Sequence, residues 1–243
     1  MRYFKRSITL ITILCVAALL AGCFPADEDT APEIFVVLGD SIAYGRVGTE
    51  DRETQSYAAI VADTNGYILF NDAVDGYESC DLLNQLQTND EVRGHITDAD
   101  IIVISIGGND FLQNNPTALL FQAAGGDFSE INAILSAFEE NLSNIKSAIF
   151  ALNPTANVII QTLYNPDYGQ TRALSQPVID MLNDIIIDTA GSEWRMLDVA
   201  AAFDGHAEYI YSDQIHPSID GHAKIAELLL AMLDTERKDN KAA

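Results

Sequence analysis

A three-layer α/β/α sandwich around a central parallel sheet of about five strands is the fold this sequence predicts, and three observations predict it. Short apolar runs alternate with longer amphipathic ones, the pattern of strands joined by crossover helices. Several short runs are apolar at consecutive positions, Ile101-Ile102-Val103-Ile104 most plainly, so both faces of those strands must be covered, as in a parallel sheet. The 243 residues, 48% of them apolar, suffice for one sizeable core.

In chain order the expected strands span residues 34–38, 67–70, 101–106, 158–163 and 195–199. The expected helices span residues 57–63, 79–87, 130–152, 172–189 and 219–233. Pro154 stops the third helix, and Gly191 caps the fourth at its C-terminus. No internal repeat interrupts this order. In an open parallel sheet, function is expected at the carboxyl ends of the strands.

The formal net charge is −23, and all 36 acidic residues lie after Gly22. Binding nucleic acid requires cationic neutralisation of phosphates, so this balance argues against a nucleic acid partner. Otherwise the charge reads as a solvated acidic surface, which favours solubility and says nothing about chemistry.

The N-terminus is a different kind of segment. Arg2, Lys5 and Arg6 precede an apolar stretch over residues 8–21, the n-region and h-region of a secretory signal. The stretch is shorter than the roughly 20 residues that span a bilayer. It ends in Leu20-Ala21-Gly22-Cys23, which resembles the lipobox of bacterial lipoproteins. That resemblance implies cleavage before Cys23 and lipidation of its thiol. The protein would then be exported and lipid-anchored at the outer face of the cytoplasmic membrane, or at the outer membrane of a Gram-negative cell. An uncleaved anchor, or secretion with a chance cysteine, is the competing reading. Residues 24–33, rich in Pro, Asp, Glu, Ala and Thr, read as a solvated tether. Cys15 leaves with the signal and a lipidated Cys23 cannot pair, so Cys80 stands alone and no internal disulfide forms. Cys80 lies near the start of a helix, where a small buried residue is the expectation rather than a catalytic thiol. The chain divides into a signal peptide (1–22), the lipidated cysteine and tether (23–33), a folded domain (34–235) and a polar tail (236–243).

Polar clusters fall where the topology expects function. The first strand runs into Gly39-Asp40-Ser41-Ile42, which puts Ser41 on a turn at the strand's carboxyl end. Gly107-Gly108-Asn109-Asp110 follows the third strand, and Asp213-Gln214-Ile215-His216-Pro217 precedes the last helix. A serine hydroxyl is a poor nucleophile until a base takes its proton, and a neutral His216 can do so. Asp213 would hold the imidazole in the right tautomer. Asp40 is expected to organise the loop through backbone hydrogen bonds.

Together these blocks resemble the SGNH, or GDSL, hydrolase family. Gly39-Asp40-Ser41-Ile42 matches the nucleophile block, with Ile in place of the commoner Leu, and Asn71-Asp72-Ala73-Val74-Asp75-Gly76 is similar to the second block. Gly107-Gly108-Asn109-Asp110 matches the third, and Asp213 with His216 the last. The resemblance implies a flavodoxin-like sandwich and a carboxylic ester hydrolase, with Ser41, Asp213 and His216 as the catalytic residues. It further implies an oxyanion hole from the Ser41 and Gly76 amides and the Asn109 carboxamide, with no metal or organic cofactor. Lipid, short acyl and acetylated glycan esters all suit such a site.

Duller readings stand beside these. Ser41 could cap a helix, Asn109 could satisfy a turn, and His216 could be a loop residue. His95, His206 and His222 have no partner in the motif pattern, and His222 in the last helix reads as structural. Asp213, His216 and Asp220 lack a recognised metal-ligand spacing. The rival α/β-hydrolase elbow, Gly-x-Ser-x-Gly, falls one glycine short at Ala43. A lipoprotein that only binds a glycan or lipid on this fold is the alternative from another functional class. Residues 111–129 form a long connection that could line or cover the pocket, and Ala118-Leu119-Leu120-Phe121 within it could hold an acyl chain or simply pack as a short helix. The two tyrosines of Tyr164-Asn165-Pro166-Asp167-Tyr168-Gly169 could contact substrate or fill the loop.

Overall fold

Side chains of one sheet face and those of the other bury into two separate apolar cores. Val36, Leu38, Ile102, Ile104, Val158 and Ile160 enter one, while Phe35, Val37, Ile101, Val103, Ile159 and Leu197 enter the other. That alternation at period two, with both sets buried, makes the three layers the sequence predicts. The structure, a computed structural model, describes residues 31–46 and 51–242, with side chains described to residue 235. The signal segment, Cys23 and most of the tether lie outside the described residues; Ala31, Pro32 and Glu33 are exposed and carry no regular structure.

The elements are β1 (Ile34–Gly39), α1 (Ser41–Tyr44), α2 (Arg52–Gln55), α3 (Tyr57–Asn65), β2 (Ile68–Asn71), α4 (Ser79–Thr88), α5 (Asp90–Asp98) and β3 (Ile101–Ser105). There follow α6 (Gly108–Leu112), α7 (Pro116–Ala124), α8 (Ser129–Leu152), β4 (Asn157–Gln161), α9 (Arg172–Ala190), β5 (Arg195–Leu197), α10 (Val199–Phe203), a 3₁₀ turn (Ala207–Tyr209) and α11 (Ile219–Ala242). Each of the five expected strands and five expected helices is present to within a few residues. α11 continues through the segment read as a polar tail.

The strands are all parallel, in the order β2-β1-β3-β4-β5. α4, α5, α8 and α9 cover one face through residues such as Leu82, Ile96, Phe138 and Leu182. α3 and α11 cover the other through Tyr57, Val61, Ile225 and Leu229. The strand order reverses between β1 and β3, so the two chains leaving these strands diverge and open a crevice at their carboxyl ends. Gly39 stands at that point with φ +125°, and a Cβ there would lie 1.8 Å from the Ser105 carbonyl oxygen. The same oxygen accepts the Asp40 amide at 2.9 Å. Only glycine lets the strands approach this closely and the chain turn out of the sheet. His222 is fully buried between α11 and α3, as a structural residue would be. Its Nδ1 accepts from the Tyr57 amide at 3.3 Å, which leaves Nε2 to donate to the Arg46 carbonyl at 3.3 Å. Burial pushes its pKa down to about 4, so it stays neutral.

Candidate active site

Ser41 opens α1 directly after the β1 turn. Asp40 caps that one-turn helix, its Oδ1 accepting the Ile42 amide at 3.0 Å, the organising role expected for it. Burial pushes the Asp40 carboxyl up to about 7, against the pull of the Ile42 and Ala43 amides and the Ser105 hydroxyl. The Ser41 hydroxyl faces the crevice, where its Oγ lies 2.9 Å from His216 Nε2. His216 Nδ1 in turn lies 2.7 Å from Asp213 Oδ2.

The loop carrying His216 and Asp213 is fixed from several sides. Gln214 adopts φ +60°, which doubles the chain back so that Asp213 Oδ1 accepts the Ile215 and His216 amides at 3.0 Å each. The His216 carbonyl accepts from the Tyr211 amide at 2.8 Å, and the Tyr164 hydroxyl donates to the Ile215 carbonyl at 2.7 Å. Desolvation pushes the Asp213 carboxyl up, but the bonds from the His216 ring and the two amides outweigh it and hold the carboxyl below its ordinary range. An ionised Asp213 accepts the proton on Nδ1 and leaves the Nε2 lone pair facing the Ser41 hydroxyl. That is the orientation a general base needs.

The second and third blocks meet across the crevice. Asn109 and Gln113 sit one turn apart on the same face of the helix that starts at α6. Asn109 Nδ2 donates to the Tyr77 carbonyl at 2.9 Å, and Gln113 Nε2 donates to the Gly76 carbonyl at 2.7 Å. Two donors thus grip consecutive carbonyls of the loop after β2, whose Gly76 has φ +86°. Among the described residues, neither the Ser41 nor the Gly76 amide donates to a protein acceptor. Asp110 turns the other way: its carboxylate accepts from the Ser79 amide at 3.0 Å and from the Ser79 hydroxyl, tying α6 to α4. Gln113 and Tyr164 are the positioning residues that motif reading missed, although Gln113 carries a signal, four residues after Asn109 on one helix.

The connection over residues 111–129 contains α7, introduced by the Asn115 cap and Pro116. Its Leu119 packs into the core, whereas Leu120 and Phe121 line a cavity of about 280 Å³ beside Ile42. The segment thus packs as a short helix through Leu119 and lines the cavity through Leu120 and Phe121. Tyr164 lines the cavity too, while Tyr168 donates to the Phe203 carbonyl. The expectation that Cys80 is buried is overturned: its side chain is exposed. The inward face of α4 is set by Ser79, Leu82, Gln85 and Leu86, and Cys80 points away from it. His95 and His206, which the motif pattern left alone, pair with Asp72 at 2.8 Å and Glu208 at 2.7 Å. Among the described residues, no helix is long and apolar enough to cross a membrane.

Serine, histidine and aspartate thus stand in hydrogen-bonded series at the switch point of a five-stranded parallel sandwich. The profile of the GDSL-like lipase/acylhydrolase family matches residues 37–224, and the chain belongs to that family of hydrolases. It is similar to the protein YpmR of Bacillus subtilis (strain 168), with 27% identity over 93% of this chain and 88% of the relative. Among solved structures it is similar to the lipase Lip_vut3 from a goat rumen metagenome, with TM-score 0.67 and 25% identity over 81% of this chain and 95% of that one. The fold is also shared with phospholipase A1 from Streptomyces albidoflavus NA297, with TM-score 0.65 and 23% identity over 84% of this chain and 99% of that one.

Proposed function

We propose that the protein is a carboxylic ester hydrolase that works through an acyl-Ser41 intermediate. The observation that carries this reading is the series Ser41 Oγ to His216 Nε2 at 2.9 Å and His216 Nδ1 to Asp213 Oδ2 at 2.7 Å. His216 takes the Ser41 proton as Oγ bonds to the ester carbon, and the negative charge passes to the former carbonyl oxygen. The Ser41 and Gly76 amides and the Asn109 carboxamide are the donors assigned to that oxygen, each worth about 2.7–4 kcal/mol by the usual cost of deleting one. Collapse breaks the bond to the alcohol oxygen, and His216 returns the proton to the departing alcohol. Water then attacks the acyl carbon with His216 as base, which releases the carboxylic acid and restores Ser41.

A fluorophosphonate probe tests the reading directly, because it phosphonylates only an activated serine. One adduct per chain, on the Ser41 peptide and suppressed in His216→Ala, is the expected result. Folded wild-type protein that takes no label would remove the proposal.

The lipobox resemblance extends the proposal to location: export, and anchorage by a diacylglyceryl group on Cys23. Two acyl chains hold a protein stably at a membrane, whereas one binds only marginally. Mass spectrometry of the mature N-terminal peptide is expected to find cleavage before Cys23 and a lipid on its thiol. An unmodified Cys23, or a mature terminus elsewhere, rejects the anchor and leaves the esterase proposal standing.

A further inference from the structure

We infer that the cavity beside Ser41 is an acyl slot and that the substrates are esters of medium-chain or longer fatty acids rather than acetyl esters; this rests on the esterase reading and names its substrate class. The cavity lies beside the proposed reacting centre. Ile42, Gly108 and Ile215 bound it there, and each is the chain neighbour of a site residue: Ser41, Asn109 and His216. From that end it runs between α6–α7 and the start of α9, walled by Phe111, Leu120, Leu163 and Ile179.

Thr117 and Gln214 also line the wall, but its polar residues on the loop after β4, Asn165 and Asp167, are already occupied. Asn165 donates to the Ser175 hydroxyl at 3.0 Å and to Gln176 Oε1 at 3.1 Å, and its own oxygen accepts the Asp167 amide at 3.0 Å. The Asp167 carboxylate accepts the Gly169 amide at 2.6 Å and the Thr171 hydroxyl. A glycan site needs donors and acceptors free to meet hydroxyls, since a buried sugar hydroxyl without a partner is penalised. These two polar side chains are spent on their own loop and on the first turns of α9, so what the wall offers a ligand is chiefly apolar surface.

Size points the same way. The cavity has a volume of about 280 Å³. An acetyl methyl would leave most of it unfilled. At the mouth, Leu112, Leu174 and Phe121 are exposed, Phe121 by 69%, although all three line the cavity. The apolar path therefore continues outward, and a chain longer than the cavity keeps contact at its far end.

The test measures kcat/KM of the wild-type protein on p-nitrophenyl esters from acetate to dodecanoate, below their aggregation thresholds. A parallel series of alkyl acetates puts the same chain length in the alcohol. Burying a methylene is worth about fourfold in kcat/KM, from about 0.8 kcal/mol. Octanoate is accordingly expected to exceed acetate by more than about tenfold, while the alkyl acetates show no such rise. Leu120→Trp should cut the octanoate-to-acetate ratio by about tenfold or more, and Leu174→Trp repeats the test at an exposed position that leaves the core intact. A flat or acetate-favouring profile in active protein overturns the slot and spares the esterase reading. A rise confined to the alkyl acetates also overturns it, because the cavity would then hold the alcohol. Folded protein that hydrolyses no ester and takes no fluorophosphonate overturns the esterase reading and this inference together.

Discussion

Ser41→Ala is expected to lower kcat for p-nitrophenyl butyrate by about 10⁵–10⁶-fold, the scale on which serine hydrolases lose turnover when the nucleophile goes. The fold should be untouched, with the melting temperature within a few degrees of wild type, because Asp40 and not Ser41 supplies the helix cap. His216→Ala should cost nearly as much, and the double variant little more than either, since the two groups act on one proton. Asp213→Asn is the milder change, at about 10⁴-fold. Its remaining oxygen can still accept the Ile215 and His216 amides, so the loop keeps its shape. The new carboxamide, however, can present an N–H to Nδ1, which favours a proton on Nε2 facing the serine, the wrong tautomer for a base. Steady-state kinetics on proteins freed of contaminating esterase decides the matter. Wild-type turnover in Ser41→Ala, or losses that multiply in the double variant, would sink the assignment.

Gly39→Ala is expected to be the most damaging single methyl group in the described part of the chain. The added carbon would sit 1.8 Å from the Ser105 oxygen, which is backbone and cannot swing aside, in a conformation at φ +125° that alanine disfavours. Overpacking of this kind costs about 1–3 kcal/mol, and the positive φ about 1–2 more. At about 2–4 °C per kcal/mol for a chain of this length, the melting temperature should fall by about 5–20 °C. Gly66→Ala is the control: φ is +69° but nothing lies within 4 Å of the added carbon, so only the smaller conformational cost applies. Thermal melts that put the two variants level would contradict the close approach of β1 and β3.

The sheet was legible because its signal is local. Ile101–Ser105 is buried at every position, and a run with no polar alternation has few other uses. The site was legible for a different reason: the blocks hold residues whose types answer to one reaction, and the topology gathers strand ends at one edge. What escaped had no such signature. α5 buries only Val92 and Ile96, too few to impose a period on its sequence. The His95–Asp72 pair spans 23 residues and stacks on Phe70, a contact that exists only after β2 and α5 pack. Cys80 was misjudged because burial was argued from residue type. The spacing of Ser79, Leu82 and Leu86 already placed the inner face elsewhere.

Ser41 and His216 are separated by 175 residues, and the loop between Tyr209 and α11 is fastened where Gly221 packs against the Tyr209 carbonyl. Every strand of the sheet precedes that loop in the chain. During synthesis the whole sheet can therefore be out of the ribosome while Ser41 still lacks His216 beside it. Contacts of such long separation also carry a loop-closure cost, and non-local contacts slow folding. On the proposed reading, esterase activity would report the docking of this loop rather than collapse or secondary structure. A chain that ends anywhere between Ser41 and His216 carries the serine without the imidazole that faces it.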